Sequence, residues 1–257
     1  MDVKISIIIA TFNASLTLRK CLESIVVQLT EECELIIIDG GSKDNTIDII
    51  AFYDKFISYS ISESDKGIYD AWNKGVKSAQ GDWIMFIGAD DVLLPNALSI
   101  YLDVIRNTPD INDYDYICAH NEYVDLNGKV LKVLGEAPKW SKMRRLMPAA
   151  HVASLHNRKN LFETIGYYDF EKFHICADYE LLLRKKDKLK YLMLPAHIAR
   201  MKVGGMSFST KAIKETYEIR KLHKSVSPLL NRLLYFSDLM AFKFFKFRMA
   251  LGGASFS

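Results

Sequence analysis

The chain is 257 residues long, 49% hydrophobic and 25% charged, an ordinary globular composition for one large domain with or without a small appendage. Its 13 Tyr, 14 Phe and 3 Trp provide ample material for a core. A formal net charge of only +3 excludes nucleic acid as the main partner, because binding a phosphate backbone calls for a concentrated basic face.

Residues 3–10 (VKISIIIA) are apolar almost throughout and rich in β-branched side chains, as a strand covered on both faces should be. Residues 16–29 place Leu18, Leu22, Ile25, Val26 and Leu29 at helical spacing. A second buried strand is expected over 34–38. A helix follows over 44–53, with Ser42 as its N-cap. Residues 56–62 read as a strand, 67–79 as a helix, 83–87 as a strand, and 95–106 as a helix with Pro95 in its first turn. This alternation predicts an α/β fold: a mostly parallel, Rossmann-like sheet with right-handed crossovers and flanking helices. Beyond residue 110 the pattern loosens. Strands are expected over 114–119, 122–124 and 190–194, with a turn at Asn127-Gly128, and helices over 176–186, 209–223 and 229–251.

Ligands on such sheets bind beyond the carboxyl ends of the strands. The four expected strands end in Thr11-Phe12-Asn13, Asp39-Gly40-Gly41-Ser42, Glu63-Ser64-Asp65-Lys66-Gly67 and Gly88-Ala89-Asp90-Asp91. Three of the four carry an acid beside small residues, so Asp39, Asp65 and Asp90 should converge on one crevice. Carboxylates accept from a nucleobase N–H and from ribose hydroxyls. A diphosphate beside them needs a divalent cation, Mn²⁺ or Mg²⁺, for which Asp90 and Asp91 are the candidate ligands. Each residue also has a plainer reading. Asp39 can open a turn with its glycines, Asp65 can cap a helix, and Asp90-Asp91 can cap the helix after Pro95. Neither GxGxxG nor GxxxxGK[ST] occurs. The four cysteines, Cys21, Cys33, Cys118 and Cys176, have no metal-ligand spacing and read as reduced thiols of a cytosolic protein. The N-terminus does not read as a signal peptide, and no apolar stretch reaches the ~20 residues that cross a bilayer. The expected location is the cytoplasm or the cytoplasmic face of a membrane.

The runs IIIATFNASLTLRKCLESI, IIIDGGSKDNT, SESDKGIYDAWNKGVKSAQGDWIMFIGADD and CADYELLLR occur in that order. Together they resemble family 2 of the inverting glycosyltransferases, and among these the bacterial enzymes that assemble O-antigen, capsule or colanic-acid repeats. The resemblance is closer over 4–98 than over 147–207 and fades beyond. It implies a GT-A fold with a nucleotide-sugar half (1–98), an acceptor-side half (99–208) and a helical extension (209–257). It implies a nucleotide-sugar donor, UDP first among the candidates, a saccharide acceptor and a divalent metal. Thr11 then lies at the base pocket, with Asn13 beside it. Asp39 and Asp65 contact the nucleoside, Lys66 flanks the site, and Asp90 is the second acid of the DxD metal motif. Asp178 is the catalytic base, and its plainer reading is an acid favoured by a helix dipole. Two departures stand out: Gly88 takes the place of the first DxD acid, and Ala177 takes the place of the acid before Asp178.

His151, Tyr179 and Glu180 are acceptor-side candidates. A structural role is open for His151, and Glu180 can instead pair with Arg184 four residues on. Residues 204–207 resemble a loop over the diphosphate, and His197 is a further metal or phosphate candidate. In the tail, Asn231, Arg232, Tyr235, Asp238, Lys243 and Lys246 share about 140° of a helix. Such a helix can lie in a membrane interface, which suits a polyprenyl-linked acceptor, or pack on the domain or on a partner copy in a homodimer. A second functional reading is a catalytically silent sugar-nucleotide or saccharide binding partner, which the lost DxD acid favours.

Overall fold

The computed structural model describes residues 3–125, 127–202 and 209–250. In chain order the elements are β1 (Ile5–Thr11), α1 (Leu18–Val26), β2 (Cys33–Asp39), α2 (Thr46–Phe52), β3 (Tyr59–Ser62), α3 (Ile68–Ser78), β4 (Trp83–Gly88), β5 (Val92–Leu93) and α4 (Ala97–Asn107). Then come β6 (Tyr116–Val124), β7 (Val130–Leu134), α5 (Trp140–Met143), β8 (Ser154–Asn157), α6 (Ala177–Leu183), β9 (Tyr191–Lys202), α7 (Thr210–Leu222) and α8 (Pro228–Ala250).

The period-2 alternation of strand side chains builds two cores from one isoleucine-rich strand. Ile5, Ile7 and Ile9 face one way, against Leu18, Leu22 and Ile25 of α1 and Leu98, Tyr101 and Leu102 of α4. Ile8 faces the other way with Ile36, Ile38 and Phe86, against Tyr69, Trp72 and Val76 of α3 and Leu181 and Leu182 of α6. The expected α/β class therefore holds. Gly75 lets α3 press on β1, since a Cβ there would sit 2.4 Å from Ile8 Cγ2. Gly75→Val should cost about 1–3 kcal/mol through overpacking. Differential scanning calorimetry should show a melting point lower by several degrees, at roughly 2–4 °C per kcal/mol.

The strand order is β3-β2-β1-β4-β8-β6-β9-β5, with β7 paired to β6. The first four strands are parallel, as the alternation predicted. The rest of the sheet is mixed: β8 runs antiparallel to β4 and β6, β9 is parallel to β6, and β5 is antiparallel to β9. The register aligns the parallel tips: Thr11 lies opposite Asp39, Asp39 opposite Ser62, and Ala10 opposite Gly88.

Several local expectations are corrected. Ser42 caps no helix: α2 begins at Thr46, and the Ser42 hydroxyl donates to Asp39 Oδ1 instead. Pro95 precedes α4, which begins at Ala97 after Asn96 in a left-handed conformation (φ 66°). The two strands expected over 114–124 are one strand, and the short strand expected at 190–194 runs on to Lys202. The Asn127-Gly128 turn is present. Asp125 Oδ1 accepts from the N–H groups of Asn127 and Lys129 at 2.9 Å, and Gly128 has φ 85°.

Candidate active site

A cavity of about 530 Å³ opens at the carboxyl ends of the parallel strands. The β1 tip contributes Thr11, Phe12 and Asn13. The β3–α3 connection contributes Asp65, Gly67 and Ile68, and the β4 tip contributes Gly88, Ala89 and Asp90. Three of the four parallel strand ends thus meet in one place, which is what a parallel sheet with short turns provides.

Asp39 sits behind this wall, fully buried. Its Oδ1 accepts from the hydroxyls of Thr11 (2.9 Å) and Ser42 (2.5 Å). Its Oδ2 accepts from the Ser62 hydroxyl (2.6 Å) and from the N–H groups of Gly41 (3.0 Å) and Ser42 (2.9 Å). Burial alone would raise its pKa, but the bonds from Ser42, Ser62 and Thr11 outweigh burial and hold it below the usual carboxylate range. Asp39 therefore fixes the Thr11 hydroxyl and the 41–42 turn from beneath. Asn13, in a left-handed conformation (φ 48°), accepts from Lys43 N–H at 2.9 Å and ties the two tips together.

Asp65 does not cap α3. Its Oδ1 accepts from Gly67 N–H at 2.8 Å, and its Oδ2 comes so close to Gly40 that a Cβ there would lie 2.6 Å away. Gly40 is thus the residue that admits the Asp65 carboxylate to the β2 tip. Lys66 places its ammonium 2.6 Å from Glu171 Oε1 on the exposed rim.

Asp90 is exposed at the cavity, whereas Asp91 is buried behind it. Asp91 Oδ2 accepts from Gly88 N–H at 3.0 Å, and its Oδ1 has no partner among the described residues. Burial, then the neighbouring Asp90, push the Asp91 carboxyl up to about 8. A Cβ at Gly88 would lie 2.8 Å from Asp91 Oδ2 and 3.1 Å from Asp90 Oδ1. The missing first acid of the motif is therefore matched by a second acid folded back onto its backbone. Neither Asp90 nor Asp91 caps α4, because β5 intervenes. No group of three or more ligating side chains occurs among the described residues. A cation here would take Asp90, Asp91 Oδ1 and oxygens of its ligand, and a buried carboxylate oxygen without a partner suits that role.

Asp178 lies in the first turn of α6. The link to the cavity is Tyr69, which directly follows the wall residue Ile68 and shares its one hydroxyl proton between Asp178 Oδ1 at 2.8 Å and Ile175 O at 2.7 Å. Burial, then the charge of Asp178, raise the Tyr69 pKa, so its hydroxyl keeps its proton and donates. Glu215 of α7 accepts from three consecutive N–H groups, of His174, Ile175 and Cys176, at 2.9–3.0 Å. The segment that presents Asp178 is thus pinned from two sides. His151 Nδ1 lies 3.8 Å from Asp178 Oδ2, beyond hydrogen-bond range. Its ring packs on Trp72 (centroids 4.8 Å) and Phe86 (5.4 Å). Both its nitrogens, Trp72 Nε1 and Tyr168 OH are buried without partners among the described residues.

The other acceptor-side candidates face inward. Tyr179 donates its hydroxyl to Met143 O at 2.7 Å and is 2% exposed. Glu180, 4% exposed, accepts from Arg184 Nε at 3.0–3.1 Å and lies 2.8 Å from His223 Nε2. Their contacts join α6 to its neighbours, so no acceptor role is carried forward for either. His197 Nδ1 pairs with Glu122 Oε1 at 3.1 Å, and residues 204–207 lie outside the described residues.

Burial lowers the pKa of His151 against the opposing charge of Asp178, and burial followed by the nearby His151 lowers that of His156. The unfolded chain takes up these protons near pH 6.5 and the native fold resists them, so this stability is present above about pH 6.5 and fades as pH falls. Asp91 acts in the opposite sense: its contribution is full below about pH 4 and is lost as pH rises through about 8. Melting points at pH 7.5 and 5.5 should isolate the histidine contribution, because His156→Gln should lose less on acidification than the wild type.

The sequence profile of Glycosyl transferase family 2 matches residues 6–188, well over half of the chain. The chain belongs to glycosyl transferase family 2. Among curated relatives, a PGL/p-HBAD biosynthesis glycosyltransferase of Mycobacterium bovis BCG is 30% identical over 187 residues, covering 70% of this chain and 68% of its own. An uncharacterized glycosyltransferase of Nostoc is 28% identical over 249 residues, covering 92% and 76%. Among solved structures, S. aureus TarS superposes with a TM-score of 0.66 at 17% identity, over 92% of this chain and 43% of its own length. The mannosyltransferase PcManGT of Pyrobaculum calidifontis, solved with GDP-Man and Mn²⁺, gives 0.62 at 11% identity, over 94% and 75%. The curled mixed sheet flanked by helices is thus the GT-A glycosyltransferase fold. Within this family 2 chain, Tyr69, Glu215 and Ser62, which support Asp178, its segment and Asp39, were not singled out in the sequence, and Ser42 was read there only as a helix cap.

Proposed function

We propose that this chain is an inverting glycosyltransferase. It moves a sugar from a nucleoside diphosphate, UDP first, to a saccharide hydroxyl in bacterial surface polysaccharide synthesis of the O-antigen or lipopolysaccharide kind. The observation that carries this reading is the shared cavity: Thr11, Asp65 and Asp90 line it, and Tyr69, next to its wall, holds Asp178. Structures of S. aureus TarS in complex with UDP and with UDP-GlcNAc support the choice of donor class.

Thr11, Asn13 and Asp65 face the nucleoside, with Asp39 fixing Thr11 from behind. Lys66 reaches the diphosphate only by exchanging Glu171 for it. Asp90 and Asp91 would hold a divalent cation, Mn²⁺ or Mg²⁺, which would supply Lewis-acid stabilisation to the departing diphosphate. Asp178 accepts the proton of the acceptor hydroxyl as its oxygen bonds to the anomeric carbon. The bond from that carbon to the phosphate oxygen breaks on the opposite face, and its electron pair leaves with the nucleoside diphosphate. His151, with Nδ1 3.8 Å from Asp178 Oδ2, is the acceptor-side candidate that stands beside the base. An acceptor carried on a polyprenyl diphosphate would place the reaction at the cytoplasmic face of a membrane.

The test is a panel of UDP-, GDP- and dTDP-sugars with Mn²⁺, with and without EDTA, scored for nucleoside diphosphate release and for binding. Release that EDTA suppresses is the expected result. Gly88 favours the second reading, a silent binding partner, and that reading predicts binding without release. Neither binding nor release across the panel would end both.

A further inference from the structure

Soluble helices bury their apolar face and expose their polar one. Helix α8 leaves a large apolar face exposed. Its side toward α7 is polar: Asn231 Oδ1 accepts from Arg220 Nε at 2.8 Å, Asn231 Nδ2 donates to Tyr217 O at 3.1 Å, and Asp238 pairs with Arg220 at 3.5 Å. Tyr235 packs on Tyr217 with ring centroids 5.1 Å apart. On the opposite side Leu229, Leu233, Phe236, Met240, Phe244 and Phe247 are each 59–69% exposed. At 3.6 residues per turn these six lie within an arc of roughly 80° over five turns. A continuous apolar stripe of this length on a water-facing surface marks an interaction site.

Charge identifies the occupant. Arg232, Lys243 and Lys246 are exposed and flank one edge of the stripe. Residues 228–250 contain one acid, Asp238, already paired with Arg220. An apolar stripe bordered by cations is complementary to the hydrocarbon boundary beneath anionic lipid headgroups. No helix among the described residues is long and apolar enough to cross a membrane, so α8 would lie in the interface plane.

We propose that α8 docks this protein on an anionic bilayer surface through its Leu229–Phe247 stripe. The inference stands apart from the transferase reading, since it uses no residue of the cavity. The test is flotation of the full chain with vesicles of phosphatidylcholine alone and with 30% phosphatidylglycerol. The expected result is binding to the anionic vesicles that weakens in 0.5 M NaCl. Phe236→Ser combined with Phe244→Ser should reduce binding by at least about tenfold, and Lys243→Gln combined with Lys246→Gln by roughly five- to thirtyfold. Circular dichroism should show both variants folded, since all four positions are exposed. Nucleotide release in solution should be unchanged in both, so loss of docking and loss of transfer read out separately. Equal partition of the wild type and the Phe variant would overturn the proposal. So would a dimer in light scattering that the Phe variant abolishes, with no vesicle binding, which would assign the stripe to a second copy of this chain.

Discussion

Asp178→Asn is expected to lower kcat by about 10²–10⁴, the usual contribution of a positioned general base. Donor affinity should be nearly unchanged. The substitution keeps the shape of the side chain, and its remaining oxygen can still accept from Tyr69. It removes only the capacity to take a proton. Single-turnover transfer against donor binding by calorimetry separates the two quantities. An Asn variant with wild-type turnover would remove Asp178 from the chemistry and leave it as a first-turn acid favoured by the helix dipole. Tyr69→Phe probes the same carboxylate differently. It deletes the bond at 2.8 Å that orients the Asp178 carboxylate, so transfer should fall while donor affinity holds. The amplitude of transfer should survive better than in Asp178→Asn.

The parallel half of the molecule was legible because strands covered on both faces write themselves as unbroken apolar runs. Ile5 to Ile9 and Leu35 to Ile38 are all but wholly buried. Beyond residue 110 that signal fails for a physical reason. β8 is Ser-Leu-His-Asn, and all four side chains are buried although three are polar. Ser154 donates to Ala150 O and His156 lies against Ile84 O, so burial there is stabilised by hydrogen bonds that no hydropathy pattern contains. β7 pairs with β6 alone and leaves Val130 and Val133 exposed. The site divides along the same line. Thr11, Asp65 and Asp90 follow from strand ends, since topology alone brings strand ends together. Tyr69 reads in sequence as one more apolar-face residue of α3, and Glu215 sits 37 positions after Asp178 in a helix of the extension. Their roles arise from tertiary packing of α3 and α7 on the α6 N-terminus, which one sequence without structure does not display.

Asp90→Ala should remove the one exposed carboxylate of the acid pair and lower nucleoside diphosphate release by several kcal/mol of barrier, on the order of 10²–10³ in rate. A second readout is independent of turnover. With UDP and Mn²⁺ present, a ligand at about 100 times its Kd stabilises the native state by about 2.7 kcal/mol. The wild-type melting point should rise accordingly, and the rise should shrink in Asp90→Ala. Asp91 provides the contrasting case. Its carboxyl is held near 8 by burial and by Asp90, so charging it in metal-free protein works against the fold as pH rises toward and past that value. Asp91→Asn replaces it with a neutral side chain that can still accept from Gly88 N–H. In EDTA at pH 8.5 this variant should therefore melt at or above the wild type, while with UDP and Mn²⁺ it should gain less than the wild type. The two acids then separate: Asp90 as the carboxylate that faces the ligand, and Asp91 as a buried one whose charge is compensated when a cation sits beside it. Undiminished release and an undiminished Mn²⁺-dependent shift in Asp90→Ala would place the cation, or the whole donor site, elsewhere.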